Sequence, residues 1–291
     1  MLTKIPRQTL ATIAVLISIL SVQAGATFGK HLFPIVGAEG TTALRQGFAA
    51  VILLAIFRPW QNGPARKDWG VLVLYAVIMG VMNLTFYMGI ARVPLGIGVA
   101  IEFLGPLTVA VLTSRRAVDF VWIACAAAGL AILLPWQGGA GALDLVGVFW
   151  CGVAAVCWGL YIIIGQRVSD RIHGGKAVAL AMAITTIFTL PIGIVTAGSA
   201  LWSWSVLPWG VAVAVLSSAI PYTFEMLALK HMPAKTFSLM MSLEPAAGAI
   251  LAFLIVGERL TWTQIVAIAL VVTASAGSSL TARRAANEAV A

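Results

Sequence analysis

Charge is scarce in this sequence. Asp, Glu, Lys and Arg together make up 10% of its 291 residues, against about 25% in a soluble domain, which excludes an ordinary water-soluble fold. Cysteine is scarcer still: Cys125, Cys151 and Cys157 stand singly inside apolar runs, with no C-x-x-C. That supports neither a zinc site nor a disulfide framework. No H-E-x-x-H, G-x-S-x-G, phosphate-cradling glycine loop or dinucleotide fingerprint occurs, so an enzyme built on those motifs is not indicated. No metal and no cofactor is expected, and no stretch is long enough for a separate soluble domain.

What is abundant is apolar surface: 61% of residues are hydrophobic and mean hydropathy is +1.01. A helix needs about 20 apolar residues to cross the hydrocarbon of a bilayer. Runs of that length predict an all-α integral membrane protein with ten transmembrane helices, near 10–29, 40–57, 69–91, 94–114, 118–136, 145–166, 177–197, 206–229, 233–256 and 262–281. The first run, with Lys4 and Arg7 before it and "AGA" after it, resembles a signal peptide. With nine more spans following, it reads as the first helix instead.

With the N-terminus in the cytoplasm, 14 of the 18 Lys and Arg fall on the cytoplasmic side. Only Lys30, Arg92 and Arg259 fall outside, and Arg45 lies within a span. This is the positive-inside pattern, and it predicts cytoplasmic N- and C-termini. The basic balance then reflects topology, with the lipid bilayer as partner and no nucleic acid. Lys30, His31, His173 and His231 fall at helix ends and read as solvated.

The chain also repeats itself. "VPLGIGVAIEFLGPL" (93–107) and "MPAKTFSLMMSLEPA" (232–246) each start with X-Pro and carry a second proline 12 residues later. The offset is 139 for both Pro94/Pro233 and Pro106/Pro245, while "TFYM" (85–88) and "TFEM" (223–226) match one residue out of step. These segments are the fourth and ninth spans, so each repeat holds five helices. Five is odd, which turns the second copy over: two inverted five-helix repeats, residues 1–137 and 138–291. Inverted repeats with a site near the midplane are a transporter signature.

Polar groups inside the spans mark that site. An intramembrane charge costs roughly 2.5–3.5 kcal/mol even on lenient scales, yet Glu102, Glu225 and Glu244 all lie within spans. Pro106 and Pro245 remove backbone donors and break the fourth and ninth helices, beside Glu102 and Glu244. Ser218, Tyr222 and Glu225 form one stripe at i, i+4 and i+7. Asn83 and Tyr87 are spaced i, i+4, and Trp158 and Tyr161 i, i+3, as cavity-lining candidates. Arg45 either snorkels to the outer interface or partners a carboxylate, on a glutamate or on a substrate.

The residues resemble a known family. The ending "GERLTWTQIVAIALVVTASAG" (257–277) resembles the closing signature of the EamA type within the drug/metabolite transporter superfamily. "VPLGIGVAIEFLGPLTVAVLTSRRAVDFVW" (93–122), "AIPYTFEMLAL" (219–229) and "GATFGKHLFPIVGAEGTTALR" (25–45) are similar to bacterial inner-membrane exporters of threonine and homoserine. The resemblance implies efflux of small neutral amino acids across the bacterial inner membrane by alternating access, coupled to proton entry. Glu102, Glu225 and Glu244 would then bind substrate or carry protons. A carrier of the same fold for another metabolite or drug, and an intramembrane enzyme using paired carboxylates, remain the alternatives.

Overall fold

In the computed structural model the described residues are 7–93, 95–133 and 144–244, with 247, 262–263, 265–267, 269–270, 272–274, 277 and 281. Among them every regular element is helical. The long elements are α1 (Arg7–Phe57), α2 (Trp69–Ile90), α6 (Leu145–Arg171) and α7 (Gly174–Ala197). The shorter ones are α3 (Leu95–Glu102), α4 (Leu104–Thr113), α5 (Ala117–Leu133), α8 (Leu207–Ala214), α9 (Ile220–His231) and α10 (Ala234–Met241). Among the described residues six segments are long and apolar enough to cross a membrane: Arg7–Gly25, Leu32–Phe57, Arg66–Ile90, Leu145–Arg171, Gly174–Trp202 and Leu207–His231. Large apolar side chains such as Leu112, Leu145, Val156, Ile187, Val195 and Trp204 stay exposed, as they would against lipid. The expected spans 233–256 and 262–281 lie only partly within the described residues, and Pro245 lies outside them.

The two first spans join into one element, where the sequence suggests a gap at 30–39. A straight helix of 51 residues would run roughly 75 Å at 1.5 Å per residue, more than twice the ~30 Å hydrocarbon core. Gly37 turns the chain back with φ 69° and ψ −175°, a conformation open to a residue without a Cβ.

The fourth span is interrupted where its proline predicts. Phe103 separates α3 from α4 with φ −65° and ψ −16°, three residues before the buried Pro106. Ser242 ends α10 with φ −63° and ψ −13°, again 139 residues on. Close packing then fixes α4. A Cβ on Gly105 would collide with the backbone carbonyl of Ala155 on α6, so only glycine allows that approach.

Carboxylates tie the helix ends. Asp119, in the first turn of α5, accepts from the amides of Arg115 (3.3 Å) and Arg116 (3.1 Å) and pairs with Lys235 on α10 at 2.8 Å. Asp144 caps α6 through Val146 N (2.8 Å) and pairs with Arg92 at 3.2 Å.

Candidate functional site

Both spans of α1, together with α2, α3, α6, α9 and α10, surround a cavity of about 100 Å³ deep among the helices. Its polar lining is Arg45, Asn83, Glu102, Ser217, Tyr222, Glu225 and Glu244, with Trp158 as an aromatic wall. Three carboxyl groups from three different helices therefore meet in one chamber, 142 residues apart at the extremes (Glu102 to Glu244).

Their surroundings differ. Glu225 is held on both oxygens: Ser18 donates to Oε1 at 2.7 Å and Tyr161 to Oε2 at 2.9 Å. Tyr161 is itself stacked on Tyr75, with ring centroids 5.1 Å apart. The side chains of Glu102 and Glu244 accept no hydrogen bond among the described residues, and both line the cavity. At Glu244 it is the backbone carbonyl that is engaged, by Gln23 Nε2 at 3.0 Å.

Arg45 supplies the positive charge. It is buried rather than snorkelling. Its Nη2 donates to Asn83 Oδ1, and its guanidinium lies 4.7 Å from the centre of the Tyr87 ring, a cation–π contact. Asn83 Oδ1 also accepts from Tyr222 at 2.8 Å, and Asn83 Nδ2 donates to Met79 O at 2.7 Å. Arg45 forms no ion pair with a glutamate among the described residues.

Three expected wall residues sit elsewhere. Tyr87 lies beneath Arg45, edge-on to Phe33 at 5.2 Å. Ser218 is fully buried off the cavity, while its neighbour Ser217 lines it. The reason is a π turn over Val215–Ala219, in which Ile220 N reaches back to Val215 O. Pro221 offers no N–H to the carbonyls four and five residues before it, so the helix widens there and the 3.6-residue stripe slips by one position. Ser21 takes over the freed carbonyl of Leu216 at 2.6 Å. Tyr161 supports the site from behind Glu225 without lining the cavity.

Ser18, Ser21 and Gln23 were not among the sequence candidates. Their signal was available: three polar residues within six positions of an apolar run, "SILSVQ" at 18–23.

Comparison with known proteins follows the same lines. Residues 145–280 match the family model described as EamA-like transporter family. Threonine/homoserine exporter RhtA of Salmonella typhimurium (strain LT2) is 47% identical over 275 residues, covering 94% of this chain and 93% of that protein. Threonine/homoserine exporter RhtA of Escherichia coli (strain K12) is 46% identical over the same shares. A solved crystal structure superposes with a TM-score of 0.79 at 18% identity, covering 94% of this chain and 98% of its own, which shows a shared fold. Near-half identity along almost the whole length carries more than fold: the chain belongs to the EamA-like transporter family and is a membrane transporter, not an enzyme.

Proposed function

We propose that this transporter exports small amino acids such as threonine and homoserine by alternating access, with proton entry driving the cycle. The observation that carries the cargo is the near-half identity to relatives named for those two amino acids. Cavity size supports it. At about 100 Å³ the chamber is well short of the roughly 300–1,000 Å³ of drug-sized sites.

The cargo carries an ammonium and a carboxylate. Glu102 and Glu244, open to the cavity, take the ammonium; Arg45, already fixed by Asn83 and Tyr87, takes the carboxylate. Glu225 carries the proton. A neutral carboxyl must donate one hydrogen bond where an ionised one only accepts, so protonation forces the Ser18 or Tyr161 hydroxyl to turn. Because Ser18 lies on α1, Tyr161 on α6 and Glu225 on α9, the change is felt by three helices at once.

The frame of the proposal is ten helices in two inverted repeats, 1–137 and 138–291, in the bacterial inner membrane with both termini cytoplasmic. The lysine and arginine bias supports the orientation. The matching helix boundaries at Phe103 and Ser242, 139 residues apart, support the repeat.

Proteoliposomes test the reading. Labelled threonine and homoserine should move down an imposed proton gradient's counterflow and stop moving when the gradient is collapsed. Flux of neither amino acid, with flux of an unrelated metabolite, would reassign the cargo; gradient-independent flux would remove the proton.

A further inference from the structure

A second cavity, of about 620 Å³, lies behind α9. Thr223, Leu227 and Lys230 face it at i, i+4 and i+7, whereas Tyr222 and Glu225 face the central chamber. Its cationic wall comes from three elements: Arg7 at the start of α1, Lys230 and His231 in the last turn of α9, and His173 at the N-cap of α7. Phe57 and Phe224 contribute to an apolar wall. Among the described residues no carboxylate lines it, and none of the four basic side chains has an acidic partner.

Helix dipoles account for part of this. Lys230 and His231 complement the negative end of α9. Arg7, Lys230 and His231 line the same cavity, so like charges converge with no counter-ion among the described residues. His173 provides no side-chain cap to α7. The first amides of that helix, at Gly174 and Gly175 on the cavity wall, have no acceptor within the helix. Uncapped amides beside cationic side chains are a donor set that takes phosphate oxygens.

We propose that this second cavity binds a phosphate-bearing anion, held by Arg7, Lys230 and the leading amides of α7. The chemistry is shared by an anionic phospholipid headgroup and by free phosphate. The half-apolar wall suits the lipid, whose glycerol end would lie along Phe57 and Phe224; basic recesses between transmembrane helices are known to hold such headgroups. Occupancy would fasten the starts of α1 and α7 to the end of α9, on the reverse side of the helix carrying Glu225. The site does not depend on the identity of the exported cargo.

Purified full-length protein in neutral detergent is titrated with dioleoylphosphatidylglycerol, with dioleoylphosphatidylcholine, and separately with sodium phosphate at constant ionic strength. Tm and lipid retained in native mass spectra are the readouts. Phosphatidylglycerol is expected to raise Tm and to stay bound where phosphatidylcholine does not. Lys230→Gln and Arg7→Gln, both at exposed side chains, should keep the unliganded Tm and weaken binding about tenfold each, while Lys230→Arg restores it. An equal Tm rise with sodium phosphate assigns the site to the free anion, and a rise with lipid alone assigns it to the headgroup. Equal retention of both lipids with no response to sodium phosphate overturns the site, and that comparison needs no variant. Unchanged phosphatidylglycerol affinity in both glutamine variants overturns it as well.

Discussion

Tyr222 donates to Asn83 at 2.8 Å across a separation of 139 residues. That is the offset at which Pro94 and Pro233, and Pro106 and Pro245, recur, and it lies within one residue of the "TFYM"/"TFEM" register. In the proposed pair of inverted repeats, a bond between near-equivalent positions is what a two-fold axis passing between them would produce. Removing the hydroxyl with Tyr222→Phe leaves Asn83 Oδ1 its bond from Arg45, so a loss of only about 0.6 kcal/mol is expected, the average for such bonds in membranes. Asn83→Leu strands both donors and should cost about 1–3 kcal/mol. Detergent-unfolding curves of the two variants give the comparison.

The carboxylates should separate by kinetics. In the proposed cycle Glu102→Gln and Glu244→Gln remove an ion contact to the ammonium, worth about 1.5–3 kcal/mol, and should raise KM for threonine by tenfold or more. Glu225→Gln should leave exchange of amino acid for amino acid intact while abolishing proton-driven export. Counterflow and gradient-driven uptake in the same vesicles read both; equal loss in all three variants would dissolve the division of roles.

Gly105→Ala forces a methyl group into the α6 backbone at Ala155, and overpacking of this kind costs about 1–3 kcal/mol. Gly152→Ala is the control, since a Cβ there meets nothing within 4 Å. Thermal unfolding should be lowered by the first and unchanged by the second.

The buried carboxylate of Asp119 is 2% exposed and pairs with Lys235. Lys235→Ala leaves that charge with its two backbone donors alone. A destabilisation of about 1.5–3 kcal/mol is expected, and Asp119→Asn in the same background should recover part of it. A double-mutant cycle on Tm measures the coupling.

Asp144, the N-cap of α6, has its carboxyl held below the usual value of 3.8, first by the hydrogen bond from Arg92 and then by the amide of Val146. Its stabilising contribution is full above that unfolded value and is lost as pH falls through the lower folded one. The Tm difference between the parent and Asp144→Asn should therefore be constant from neutral pH down to about 4 and close below it.

Hydropathy made the long spans legible, and the high cost of an intramembrane charge made Glu102, Glu225 and Glu244 stand out before any coordinates. The chamber indeed gathers all three, with Asn83, Trp158, Tyr222 and Arg45. Local geometry was less visible. A period of 3.6 residues selects Ser218, but Pro221 widens the turn and Ser217 takes its place. Tyr87 shares a helical face with Asn83, yet face sharing does not say how far along the cavity wall ends, and its ring went to Arg45 instead. Ser18 and Gln23 sit in a run whose hydropathy hides them; only their pairing with Glu225 and with the carbonyl of Glu244 marks them out.

The widened turn at Val215–Ala219 has no partner in α2, which runs unbroken from Trp69 to Ile90. Gates hinged on unlike helices do not open as reflections of each other. In the proposed cycle, facing inward and facing outward then differ in free energy even with the chamber empty. Pro221, which also lines the chamber, becomes a rectifier: replacing it would tilt the resting balance between the two faces.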